Sequence, residues 1–280
     1  MKWWKIKKVR NKLSYICKFL RILTWPLLFG FGQVFITYIF INKYQKQIYD
    51  GFNNDNLYNN FLKTREYTDG LNTYINNHLI FIILLTIIIF LPIFYYKFKK
   101  NNGILRIEKK IIYTILPAIS ITILLNLIII NINKLCNITN LSNDINMWII
   151  LIISSGIVGP ILEELLFRGI VYNDLKRFNT VKQSMVLCTI IFAIFHGSIS
   201  QIIYAYIIGY VLIYLYKYTN NLIYPITFHI ISNTIVVIFN NILVSMNFFY
   251  STIFIVLFLL LFIISYIYMN RKIELEWFLM

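Results

Sequence analysis

Residues 147–174 read MWIILIISSGIVGPILEELLFRGIVYND, an apolar run that carries Glu163, Glu164 and Arg168 in its second half. About 20 apolar residues suffice to cross the roughly 30 Å hydrocarbon layer of a bilayer, and this run is longer than that. A charged group at the centre of such a helix costs on the order of 2.5–3.5 kcal/mol, so each of the three needs a reason. An acid four residues before a base is the favourable order for an ion pair on one helix face, which accounts for Glu164 and Arg168. Glu163 points about 100° around the helix, where Arg168 does not hold it in the same way. A desolvated carboxylate without its own cation is expected to have a raised pKa, which suits a general base. A purely structural ion pair between spans explains Glu164 and Arg168 and leaves Glu163 unexplained.

The chain around this run has the same character. Its 280 residues are 59% hydrophobic and only 13% charged, with a mean hydropathy of +0.70. A soluble domain carries about 25% charged residues, so a soluble enzyme is excluded, as is a disordered chain. Seven further apolar stretches are read at Ile22–Ile41, Leu79–Tyr96, Ile111–Ile132, Gln183–Gly197, Gln201–Tyr216, Leu222–Val244 and Phe248–Met269. The expected fold is an all-α polytopic membrane protein of about eight transmembrane helices. The first stretch lacks a small-residue cleavage site and is read as an uncleaved anchor. The net charge of +15 would fit nucleic acid in a soluble protein. Here it fits the collection of Lys and Arg in cytoplasmic loops, and nucleic acid is dropped as a partner. With the N-terminus inside, twenty basic residues fall on the cytoplasmic side and five outside, so both termini are expected in the cytoplasm. Cys17, Cys136 and Cys188 share no close spacing and point to neither a disulfide framework nor a thiolate metal site. The sequons at Asn137 and Asn140 are read as chance in so Asn-rich a chain.

Few other polar groups interrupt the spans. Phe192 precedes His196 by one turn, and His229 precedes Asn233 by one turn, each pair on one helix face. A lone histidine on an apolar helix is often a satisfied core residue, whereas His229 and Asn233 present two hydrogen-bonding side chains from one stripe. Helix-to-helix bonding is their structural alternative. At 1.5 Å per residue, Glu163, His196, His229 and Asn233 lie roughly 12–21 Å from the cytoplasmic ends of their helices. A carboxylate, two imidazoles and an amide at one depth form a candidate site. Pro160 and Pro225 are placed to bend their helices, or in the case of Pro225 to start one.

The run Glu163-Glu164-x-x-x-Arg168, the pair Phe192-x-x-x-His196 and the pair His229-x-x-x-Asn233 resemble the three motifs of the CPBP intramembrane proteases. These are the type II CAAX-processing endopeptidases and similar bacterial proteins, including bacteriocin-processing and self-immunity proteins. The resemblance covers about residues 147–240 and extends to EELLFRG at Glu163–Gly169 and to the approach Asn220–Ile226 before His229. It implies an eight-helix fold with a site opening towards the cytoplasm, and peptide hydrolysis by a water that Glu163 activates with His196. His229 and Asn233 would stabilise the oxyanion, while Glu164, Arg168 and Phe192 support the site. HExxH is missing. Glu163, His196 and His229 suit either a zinc site with an open position or metal-free glutamate chemistry, and the latter is preferred.

Three regions follow: 1–146, holding spans one to three with no readable family signature; 147–240, the catalytic core; and 241–280, the last span and tail. The expected activity is a membrane-embedded endopeptidase in the bilayer, the plasma membrane if bacterial. It would act on a peptide or protein substrate that enters from the membrane or the cytoplasm. Two rivals stand beside it. One is a catalytically silent protein of the same fold acting in bacteriocin immunity. The other is a proton-coupled transporter, against which no inverted repeat is detectable.

Overall fold

The computed structural model describes residues 2–52, 54–135 and 148–274. Both sequons and Cys136 lie outside the described residues. Eleven α-helices are named among them, and no strand. They are α1 (Lys2–Tyr49), α2 (Asp55–Phe61), α3 (Arg65–Lys100), α4 (Ile115–Leu135), α5 (Trp148–Leu151), α6 (Gly159–Leu166), α7 (Asn173–Leu175), α8 (Val181–Ile194), α9 (Ile199–Thr219), α10 (Ile223–Ser245) and α11 (Phe248–Glu274). Short π-helical segments, Ile152–Val158 and Phe167–Tyr172, join α5 to α6 and α6 to α7, so 148–175 is one helical rod. Six helical stretches are long and apolar enough to cross a membrane, and α8 and α10 contribute shorter apolar ones. The protein is an all-α, multi-pass membrane protein. Large apolar side chains such as Leu28, Phe31, Ile88 and Ile264 stand exposed on its outside, as a lipid-facing belt requires.

The stretch 42–78, read as a polar connection, is mostly helix. α1 runs on to Tyr49, α2 is capped by Asn54, and α3 starts at Arg65 with Thr64 accepting from the Tyr67 amide. Hydropathy registers the bilayer, not the helix. Beyond the apolar stretch α1 and α3 are held by Tyr44 against Tyr67 and Tyr74 and by a bond from the Gln45 amide to the Tyr67 hydroxyl.

Helix α4 packs on α10 and α11, α8 on α9, and α1 on α3. One core joins Phe94 and Phe98 of α3 to Leu166 and Ile170 of the central rod and to Cys188 and Phe192 of α8. A second joins Ala118, Leu212, Phe228 and Met269 from α4, α9, α10 and α11. The second half of the central rod is thereby wrapped on all sides, while Ile149, Ile153 and Ile157 in its first half stay exposed. From Glu164 to Tyr172 every residue is buried.

Candidate active site

The rod changes pitch twice around its charges. In the first π turn the Gly159 amide donates to the Ser154 carbonyl, one residue further back than an α-helix uses. Pro160 follows at the start of α6. A proline removes one backbone donor and crowds the carbonyl four residues earlier, and the widened turn accommodates both. Such turns free carbonyls for outside donors. Asn233 Nδ2 donates to the Ser155 carbonyl at 2.9 Å. After the second π segment begins, the Cys188 thiol donates to the Phe167 carbonyl and the Asn173 amide to those of Arg168 and Gly169. Pro225 sits in the first turn of α10, where its missing donor leaves nothing unpaired.

The ion pair read from the sequence is present. Arg168 Nη1 donates to Glu164 Oε1 at 2.7 Å, with both side chains fully buried. Arg168 Nη2 also donates to the Gly209 carbonyl at 3.0 Å, and the guanidinium lies 4.5 Å from the centre of the Phe192 ring. The same Glu164 oxygen faces His229 Nδ1 at 2.9 Å. A carboxylate already holding Arg168 has no proton to give, so the proton of this bond is on Nδ1. His229 Nε2 is then left 3.8 Å from Glu163 Oε2, longer than a direct hydrogen bond. Glu163, expected to stand without a cationic neighbour, thus has an imidazole beside it. In His196 the Nδ1 lies 3.0 Å from the Phe192 carbonyl, an acceptor only. A neutral imidazole so engaged carries its lone pair on Nε2, and a neutral His229 then has no Nε2 proton for the oxyanion role expected of it. The Phe192 ring separates the two imidazoles, edge-to-face at 4.8 Å from His196 and 5.8 Å from His229.

Glu163, Phe192, His196, His229 and Asn233 all line one cavity of about 840 Å³, whereas Glu164 and Arg168 do not. The two adjacent glutamates are accordingly different: the Glu163 side chain is 26% exposed and that of Glu164 is 0% exposed. Glu163 Oε2 is buried without a hydrogen-bond partner among the described residues. The cavity wall also includes Gln33, Thr86, Asn126, Ser155 and Tyr204, which sequence reading passed over. Their signal was the isolated amide or hydroxyl in the middle of an apolar span.

The lining residues lie roughly 12–29 Å from the cation-bearing ends of their helices. On the cation-bearing side of the site the rod is buried from Glu164 to Tyr172, and so are Leu222, the N-cap of α10, and Tyr224, Ile226 and Phe228 within it. The cavity is thus floored towards the basic end, and its polar lining runs the other way.

Among the described residues no three His, Cys, Asp or Glu side chains are grouped to hold a metal ion. His196 and His229 each keep Nε2 free while Nδ1 is engaged, as a metal-ligating imidazole does, but they and Glu163 are not drawn into one ligand group here.

Residues 145–235 match the family model described as "Type II CAAX prenyl endopeptidase Rce1-like". The chain is 35% identical over 89 residues to the "Putative membrane peptidase YdiL" of Bacillus subtilis, covering 32% of this chain and 36% of the relative. It is 32% identical over 92 residues to the "Membrane-embedded CAAX protease MroQ" of Staphylococcus aureus, covering 30% of this chain and 36% of that relative. The matched stretch therefore spans about a third of the length of these curated relatives. No solved structure matches the chain significantly. Every motif residue read from the sequence falls within the matched segment, so the similarity to the CAAX-type membrane peptidases is carried by residues 145–235.

Proposed function

We propose that the protein is a membrane-embedded endopeptidase that hydrolyses a peptide bond with a water activated by Glu163. The observation that carries this reading is the partition of the charged motif: Glu163, His196, His229 and Asn233 share one cavity, while Glu164 and Arg168 stay sealed outside it. Glu163 takes a proton from water as the water oxygen attacks the carbonyl carbon, with the His196 Nε2 lone pair accepting the second water hydrogen bond. The oxyanion accepts from the amide hydrogen of Asn233 that Ser155 does not use, since an amide nitrogen carries two, and preorganised donors act strongly where water is scarce. Glu163 then returns its proton to the leaving nitrogen, and the C–N bond breaks to give an acid and an amine. Glu164 and Arg168 position His229 and Phe192. A peptide or membrane-protein segment is the substrate class, bacteriocin precursors included.

The test is cleavage of a fluorogenic peptide panel by the purified protein. Glu163→Gln is expected to abolish hydrolysis while thermal unfolding in detergent stays unchanged, and a chelator is expected to leave the rate intact. Full activity in Glu163→Gln refutes the mechanism. No cleavage by the parent protein of any peptide or membrane-protein substrate favours the silent immunity protein instead.

A further inference from the structure

A second cavity, of about 270 Å³, opens at the basic end of the molecule where α1, the end of α3 and the turn after α7 meet. Lys18, Arg21, Lys97 and Arg177 line it, with Trp25 and Phe178 as aromatic walls. Its single acid, Asp174, is already shared between Lys97 at 3.9 Å and Arg177 at 3.4 Å. Lys18 and Arg21 have no carboxylate partner among the described residues.

The sequence builds this wall directly. Positions 18, 21 and 25 fall on one face of a helix, and the cation-rich part of α1 ends at Arg21, where the apolar stretch begins. The pocket therefore sits at the level where headgroup meets hydrocarbon, with Trp25 placed as interfacial tryptophans are. The Lys97 ammonium is held 5.6 Å from the centre of the Trp25 ring. Phe178 is fixed edge-to-face by Tyr15 at 5.3 Å, whose hydroxyl donates to Asn179 at 2.9 Å. Below the pocket α1 presents Leu27, Leu28 and Phe31 outward.

We propose that this cavity binds the phosphate of an anionic membrane lipid, whose acyl chains run down the apolar face of α1. Four cations around one engaged acid attract a phosphate and leave no carboxylate for a choline or ethanolamine nitrogen. The aromatic walls and the apolar face below suit the glycerol and chain region, which a free phosphate lacks. Cation-lined pockets between spans on the cytoplasmic side bind such headgroups on the same physical grounds. The bound lipid would join α1 to the rod that carries Glu163, because Asp174 and Arg177 close that rod.

The experiment uses the full chain in detergent and in phosphatidylcholine nanodiscs, without reference to activity. Thermal unfolding and native mass spectrometry are followed on adding phosphatidylglycerol, phosphatidylcholine or inorganic phosphate. Phosphatidylglycerol is expected to raise the unfolding midpoint and to remain bound, while the other two do neither. Lys18→Ala with Arg21→Gln, both exposed, is expected to weaken phosphatidylglycerol binding about thirtyfold, the loss of two surface cations. Lys99→Ala with Lys100→Ala, at the same end but outside the cavity, is expected to keep it. Equal effects of the two lipids, or full binding by the Lys18/Arg21 variant, overturn the proposal. Saturation by inorganic phosphate alone overturns the lipid as occupant. If the Lys99/Lys100 variant weakens binding as much as the Lys18/Arg21 variant, the attraction is general surface charge and the pocket is overturned as its site.

Discussion

Glu164 Oε1 accepts from Arg168 and His229 at once, and this double use decides what each substitution does. Removing one partner of a buried pair costs roughly 3–5 kcal/mol, whereas removing both can be nearly neutral. Arg168→Leu is therefore expected to lower folded protein more than Arg168→Leu combined with Glu164→Gln. The glutamine keeps an acceptor for His229 Nδ1, and the Gly209 carbonyl alone loses its donor. A double-mutant cycle on thermal stability in detergent measures the coupling, and additive losses would show that the pair contributes nothing as a pair. The half of this triad within one helical turn was legible, because a spacing of four fixes a neighbour. The half that links Glu164 to His229, 65 positions apart, was not, since only the packing of α10 on the rod brings them together. For the same reason the Asn233 bond to Ser155 had no signal in the sequence.

At the scale of elements, the site depends on how closely α9 approaches α8 and the rod. A Cβ built on Gly209 would lie 2.8 Å from Cδ1 of the Phe192 ring, and that ring is wedged between His196, His229 and Arg168. Gly209→Ala is expected to destabilise by about 1–3 kcal/mol, as overpacking does, and to slow turnover by displacing both imidazoles. Phe192→Leu in the same chain should recover part of the stability, without restoring the rate, because the spacer between the histidines is gone. Unfolding midpoints and peptide cleavage of the two variants separate these effects; no loss of stability in Gly209→Ala would mean that the ring yields freely. The helices themselves were largely legible: seven of the eight apolar stretches fall on helical stretches, and the fifth overruns α8, which ends at Ile194 and leaves His196 in the turn that follows. The two π segments were not, because widened turns depend on the donors that meet them. Nor was the helical course of 42–78, whose polar surface carries no membrane signal.

The whole molecule is a polar cavity standing on a packed floor. Its orientation is testable with cysteines, using Cys17, exposed at the basic end of α1, as an internal marker. With Cys136 replaced by serine and Cys188 buried, a membrane-impermeant thiol reagent applied to intact cells is expected to label Ser200→Cys and to spare Cys17, which reacts after the cells are opened. Labelling of both only after opening would place the cavity on the cytoplasmic side. The floor also governs voltage. A membrane potential falls where charge cannot follow it, across the dry layer from Glu164 to Tyr172 and not along a solvent-accessible cavity. Glu163 at the foot of the cavity then sits close to the electrical potential of the compartment the cavity faces. Carrying one elementary charge across the floor would take roughly 2.3 kcal/mol for each 100 mV, while the fixed Arg168–Glu164 pair, of opposite charges, adds little to that work. The protein can hold a polar, water-accessible site at mid-membrane and still leave the bilayer electrically tight.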